Sequence, residues 1–232
     1  MTEKNEISPA LERIETGTLQ AQIYHSLTRA LMRGEFAPGQ SVSMRHLAAT
    51  FGVSTMPVRG AIQQLIADGA LHFTSSRSVA VPAMSRARLN DLCRVRLDIE
   101  GTAAQWAATG ITATEVEALH RIDQEYDAIY RMPDLSARVA DHLAKTYKFR
   151  FAVYGAAHSE ILLGIIESLW LKIAPYFNLL LDEWPQVAEQ GRKYRVILIN
   201  ALELRDGNAA RAAIQGEIER VSALLLDKLP AE

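Results

Sequence analysis

At Asp68-Gly69 the spacing of apolar residues changes from helical to strand-like, and after Pro82 it returns to helical for the rest of the chain. Upstream, Leu19, Ile23, Leu27, Ala30 and Leu31 recur at helical intervals and stop at Gly34, with Pro38-Gly39 just beyond: one helix and its terminator. Ser43 suits the N-cap of a short second helix from Met44 to Thr50, and Gly52 falls where a tight turn needs a positive φ. Ser54 is expected to cap a third helix, with Pro57 in its first turn and Val58, Ala61, Ile62, Leu65 and Ile66 as its buried stripe. Downstream, Ala70-Leu71-His72-Phe73 and Val79-Ala80-Val81-Pro82 flank a polar turn over 74–78, which reads as a short hairpin.

From Arg86 to Leu229 only helical periodicity remains, broken at Thr109-Gly110, Met132-Pro133, His158-Ser159, Trp184-Pro185 and Asp206-Gly207. These breaks define about six helices of roughly 20 residues, the pattern of an antiparallel bundle. The expected fold is therefore mainly α. A winged helix-turn-helix with a small β-hairpin occupies 18–82, a linker 83–85, and an antiparallel all-helical domain of six or seven helices 86–232. Residues 1–17 are polar and aperiodic and are expected to form a flexible arm.

Charge is uneven across that boundary. Residues 19–82 carry five arginines against two carboxylates, whereas 83–232 carry 18 basic and 21 acidic groups. A net charge of -2 argues against a protein that coats nucleic acid over its whole surface, so a DNA contact belongs to the basic first module. There the third helix fits a major groove about 12 Å wide, and the hairpin tip can reach a neighbouring groove or the backbone. The single cysteine, Cys93, excludes an internal disulfide and a cysteine-rich zinc site, and reads as a small buried apolar residue. No basic stretch precedes an apolar core near the N-terminus, and no apolar run approaches about 18 residues. The chain is thus expected to be soluble, cytoplasmic and without a membrane partner.

The run IYHSLTRALMRGEFAPGQSVSMRHLAATFGVSTMPVRGAIQQLIADGALHF resembles the DNA-binding domain of the GntR superfamily of bacterial transcription regulators. That family's pattern is an R/S-G-x-x-x-P-G turn, an L-A-x-x-x-G-V-S helix-turn-helix and a P-V-R-x-A-L recognition helix. The resemblance implies that Arg45, Ser54, Thr55, Met56, Arg59 and Arg77, the last at the wing tip, contact double-stranded operator DNA. Arginine offers a bidentate fork to guanine or phosphate, and Thr55 a hydrogen bond and a methyl group for thymine. Thr55 stands where many members have arginine, and Met56 where they have threonine, so the operator is expected to differ from the common half-site. Ser78 replaces a usual glycine, which leaves the turn type of the wing open.

The segments LCRVRLDIEGTAA, FRFAVYGAAHSEILLGIIESLW and RVILINALELRDGNAARAAIQGEIERV are similar to the FCD domain, the helical sensor of the FadR-like branch, over nearly all of 86–228. Many FCD domains hold a divalent metal through an Asp-x-x-x-His pair and two further histidines. The matching positions here are Thr146, Arg150, Arg195 and Glu217. Arginine cannot deprotonate to coordinate a metal, so neither a metal nor any other cofactor is expected. With Arg96, which the resemblance turns toward the same cavity, Arg150 and Arg195 would converge on one carboxylate, Glu217. The excess of about +2 would attract an anionic effector, an organic acid or a phosphate ester, because unpaired buried charge is costly. His120, His142 and His158 occupy no ligand position, and Tyr147, Phe149, Tyr154, Trp170 and Tyr194 read as core.

The expectation is a homodimeric repressor that binds a palindromic operator and is modulated by a small anionic metabolite. The alternative is a constitutive DNA-binding dimer whose helical domain only dimerises, with Arg150 and Glu217 paired internally and the cavity filled. An enzyme would need a nucleophile with its base, a metal or a glycine-rich phosphate loop, and the positions read as the cavity offer none of these.

Overall fold

The first three helices form where the apolar spacing places them in a computed structural model that describes residues 19–130 and 135–230. The expected arm over 1–17 and the break at Met132-Pro133 lie outside the described residues. Helix α1 (Leu19–Met32) buries Ile23, Leu27, Leu31 and Met32, while Leu19, expected on that stripe, is exposed. Helix α2 (Met44–Phe51) begins at Ser43, whose hydroxyl accepts from the His46 N–H, and ends at Gly52 with φ 67°. A Cβ in that left-handed position would cost about 1–2 kcal/mol, so glycine lets the chain turn sharply into α3 (Thr55–Ala67). Ser54 stands at the N-cap position of α3 but makes no side-chain capping bond, which corrects its expected capping role.

The wing differs from the expected hairpin. Strands β2 (His72–Ser75) and β3 (Ser78–Ala80) pair antiparallel, but β1 (Ser41–Ser43) also pairs with β3, through Ser41 with Ala80 and Ser43 with Ser78. The result is a three-stranded sheet in the order β1-β3-β2. Ser78 is therefore a paired strand residue, not a turn residue. No wing residue has a positive φ, so no glycine is required there. A register shift between Phe73 and Ser75, with the Arg77 N–H donating to Ser75 Oγ at 3.3 Å, closes the turn instead.

The helical domain comprises α4 (Arg86–Gly110), α5 (Ala113–Tyr130), α6 (Leu135–Gly155), α7 (Glu160–Ile173), α8 (Trp184–Glu203) and α9 (Gly207–Lys228). Ser85, Ser159 and Asp206 cap α4, α7 and α9 by accepting from the N–H three residues on. Between the breaks at Ser159 and Trp184 the sequence suggests one helix, yet α7 stops at Ile173 and a 3-10 segment runs over Ala174–Glu183. Pro175 accounts for the change: it lacks the N–H that the next α-helical turn would need. Pro185, read as a breaker, sits harmlessly in the first turn of α8.

Two large apolar cores and a small cluster around Leu143 and Ala188 result among the described residues. One lies within the helical domain and includes Ala104, Ala107, Leu119, Phe149, Ile166 and Leu202. The other ignores the linker: Leu27, Leu31, Val58 and Ile62 share it with Leu89, Leu171, Tyr176, Leu180 and Leu225. Polar contacts reinforce that junction. Asn178 of the 3-10 segment donates to the Gly34 carbonyl at 2.6 Å, the Tyr176 hydroxyl donates to the Pro82 carbonyl, and Arg88 of α4 donates to the Gly69 carbonyl at 3.5 Å. No helix among the described residues is long and apolar enough to cross a membrane.

Candidate functional site

Because β1 runs straight into α2 and also pairs with β3, the wing turn is held against the start of α2. The Met44 N–H donates to the Arg77 carbonyl at 2.9 Å. Arg45 and Arg77 are thereby neighbours, and the first turns of α3 add Thr55 and Arg59. With Met44 and Ser76 these four residues line one open groove of about 320 Å³. All four are exposed, and none of the three guanidinium groups has an ion pair or hydrogen bond among the described residues. Ser54 and Met56, also exposed, lie on the same turn but outside the groove lining, Met56 to the extent of 75%. Uncommitted guanidinium forks beside a helix that fits the major groove can donate to phosphate oxygens or to guanine.

The second site is a cavity of about 50 Å³ between α5, α6, α8, α9 and the 3-10 segment. Helical spacing builds it: His142, Thr146 and Arg150 recur every fourth residue on α6, Gly191 and Arg195 do so on α8, and Glu217 is followed by Arg220 and Val221 on α9. Thr146, Arg150, Arg195 and Glu217 thus meet as expected. His142 and Arg220 belong to the same wall and were missed, although each lies one helical turn from an expected residue.

Arg96 does not line this cavity. Its Nε donates to Glu100 Oε1 at 2.5 Å, one turn along α4, and both side chains are sealed from solvent. Arg150 Nη2 donates to Glu217 Oε2 at 2.6 Å, and Arg195 Nε to Asp123 Oδ1 at 2.6 Å while its guanidinium lies 3.6 Å from the centre of the Tyr126 ring. The expected convergence of three cations on one carboxylate is therefore corrected: each arginine has its own. The physical reason is desolvation, which makes an unpartnered buried guanidinium cost several kcal/mol.

These pairs join into a network. Glu100 also accepts from the Tyr154 hydroxyl and from Trp170 Nε1 at 3.1 Å, and Tyr154 accepts from Arg150 Nη1 at 3.0 Å. Burial pushes the Glu100 carboxyl up, but the charges of Arg96 and Arg150 and the bonds from Arg96 and Tyr154 outweigh it and hold the group below the usual range.

Burial, aided by the charge of Arg195, pushes the His142 imidazole down to about 3. The unfolded chain takes up a proton near pH 6.5 that the folded chain refuses, so stability falls as pH drops through that window, by about 2 kcal/mol at pH 5. Glu100, held low in the folded chain, contributes stability at every pH above the ordinary carboxylate range and loses it only as pH falls from that range downward. Urea midpoints between pH 5 and 7 should slope in the parent and flatten in His142→Gln; equal slopes would contradict this origin.

The profile of bacterial regulatory proteins of the gntR family matches residues 19–81, and that of the FCD domain matches 91–220. The chain belongs to the GntR family, in its FCD-containing branch. McbR, an HTH-type transcriptional regulator of Escherichia coli K12, is 23% identical over 219 residues, which cover 94% of this chain and 97% of McbR. RspR, an HTH-type transcriptional repressor of the same strain, is 25% identical over 223 residues, covering 96% and 92%. The solved structure of E. coli McbR/YncC shares the fold with a TM-score of 0.80 at 23% identity, over 91% of this chain and 98% of that one. This GntR regulator is thus a DNA-binding transcription regulator with an FCD effector-binding domain, and not an enzyme. The divalent-metal site common in FCD domains does not fit its residues: Arg150 and Arg195 have no lone pair to give, and Glu217 is bonded to Arg150. Among the described residues no three His, Cys, Asp or Glu side chains cluster for a metal.

Proposed function

We propose that this regulator is a cytoplasmic two-fold homodimer that represses transcription from a palindromic operator. In this reading residues 18–82 bind the DNA, 83–85 link, and 86–232 dimerise and sense a small anionic metabolite. The observation that carries it is the groove where Arg45, Arg59 and Arg77 converge without a carboxylate. The start of α3 enters the major groove, where Thr55 hydrogen-bonds a base edge, Met56 touches a thymine methyl and Ser54 donates to a phosphate. Arg77 reaches the neighbouring backbone. One such module buries too little surface for tight specific binding, which favours a dimer. Ile161 and Ile165, exposed on α7, and Val95, exposed on the adjoining α4, supply apolar surface for a second copy. The name of RspR as a repressor supports the sign of the effect.

Footprinting on DNA flanking the gene should protect two symmetric half-sites, and light scattering at micromolar concentration should give twice the mass of one chain. A monomer, or a single asymmetric half-site, would overturn the reading. In the cavity, Thr146, Arg150, Arg195 and Glu217 would face the anion, with Arg96 acting behind them through Glu100. A second reading, a constitutive dimer without effector, draws on the Arg150–Glu217 pair at 2.6 Å and the small cavity. A rise in melting temperature with an organic anion separates the two, since a ligand of the folded state must stabilise it.

A further inference from the structure

We infer that Arg220 of α9, which no resemblance singles out, anchors the effector in this cavity, and that the effector is a short aliphatic monocarboxylate. The inference rests on the reading that the cavity takes an effector; it adds the chemical class and the residue that holds it.

Arg220 lines the cavity beside Glu217 and Val221. Its Nε and Nη2 are shut off from solvent and have no hydrogen-bond partner among the described residues. The guanidinium carbon lies 5.8 Å from the centre of the Tyr194 ring, a contact that satisfies neither N–H. Those two N–H groups are the parallel pair on one edge of the guanidinium plane. That edge matches the two oxygens of a carboxylate. A buried charged donor pair without an acceptor is what proteins avoid, and here an occupant of the cavity is the acceptor the fold does not provide.

Charge narrows the class. Arg150 is committed to Glu217, and Arg195 to Asp123. Of the charged groups of the wall and their partners, one positive charge is left over, on Arg220. One carboxylate balances it, whereas a phosphate ester, at close to two negative charges near neutral pH, overshoots. Shape narrows it further. Leu143, Phe149, Phe177, Leu180 and Val187 form the apolar part of the lining, suited to a hydrocarbon body and not to further hydroxyls. A volume of about 50 Å³ leaves room for only a few non-hydrogen atoms.

The test titrates the full-length protein with sodium acetate, butyrate and isovalerate, with butyramide as the uncharged counterpart and with inorganic phosphate, following melting temperature and calorimetric heat. At least one carboxylate should raise the melting temperature by about 3–6 °C at roughly ten times its Kd, while butyramide and phosphate do not. Arg220→Met, which keeps an apolar stem of similar length, should lose about 10- to 100-fold in carboxylate affinity. Arg220→Lys, which keeps the charge but not the fork, should fall between and also serves if Arg220→Met does not fold. Equal carboxylate affinity in the parent and both variants would overturn the role of Arg220 and leave an effector cavity standing. Tighter binding of phosphate or butyramide would overturn the carboxylate class. No shift in the parent with any anion, together with a higher melting temperature for Arg220→Met, would remove the effector reading itself.

Discussion

Replacing Glu100 with leucine is expected to destabilise the protein by about 3–5 kcal/mol, the cost of removing one member of a buried ion pair. Glu100 accepts from Arg96, Tyr154 and Trp170, so Glu100→Leu strands a sealed guanidinium and two further donors at once. For a chain of this size the melting temperature should fall by about 10 °C or more. The double variant Arg96→Leu with Glu100→Leu removes the stranded cation along with its partner, and should recover much of the loss. Thermal and urea melts of the two variants measure both steps. A single variant within about 1 kcal/mol of the parent would show that water or relaxation replaces the carboxylate.

On DNA, the largest effect is expected from Arg45→Ala combined with Arg59→Ala. Each arginine that reads a base is worth roughly 1–3 kcal/mol, and the two lie on different helices, so operator affinity should drop by about 10²- to 10⁴-fold. The fold should be untouched, because both side chains are exposed and hold no partner among the described residues. Fluorescence anisotropy over a series of salt concentrations separates the roles. A base contact lowers affinity at every salt concentration, whereas a phosphate contact also reduces the slope. Parental affinity in the double variant would move the reading surface elsewhere on the module.

Much of the DNA-binding half was legible because its signals are local. Ser43 caps α2 and Gly52 turns left-handed within a few residues of where the spacing suggested. Strand β1 was not legible, since three residues reading Ser-Val-Ser carry no period and are made a strand only by the remote β3. In the helical domain the cavity wall followed from the resemblance to the FCD domain, but the carboxylates that pair with Arg96 and Arg195 did not. Asp123 meets Arg195 across 72 positions of sequence, a partnership that only tertiary packing creates. Glu100 lies four residues from Arg96 and could have been read as its partner; what the sequence conceals is that the pair is buried. Arg220 was passed over for the opposite reason. A lone arginine on a long helix resembles a solvated charge until its neighbours are known.

The 3-10 segment over Ala174–Glu183 both walls the cavity, through Phe177 and Leu180, and clasps the end of α1, through Asn178 on Gly34. A reading head seated in a shared core behaves as part of a jig and not as a probe on a cord. In the proposed dimer, the separation and phase of the two recognition helices would then be fixed by where this segment leaves the bundle. One base pair inserted between half-sites turns one of them by about a tenth of a helical turn, more than a side-chain clasp can absorb. The bundle would thus carry part of the operator's grammar, the interval between its two words, without touching a base.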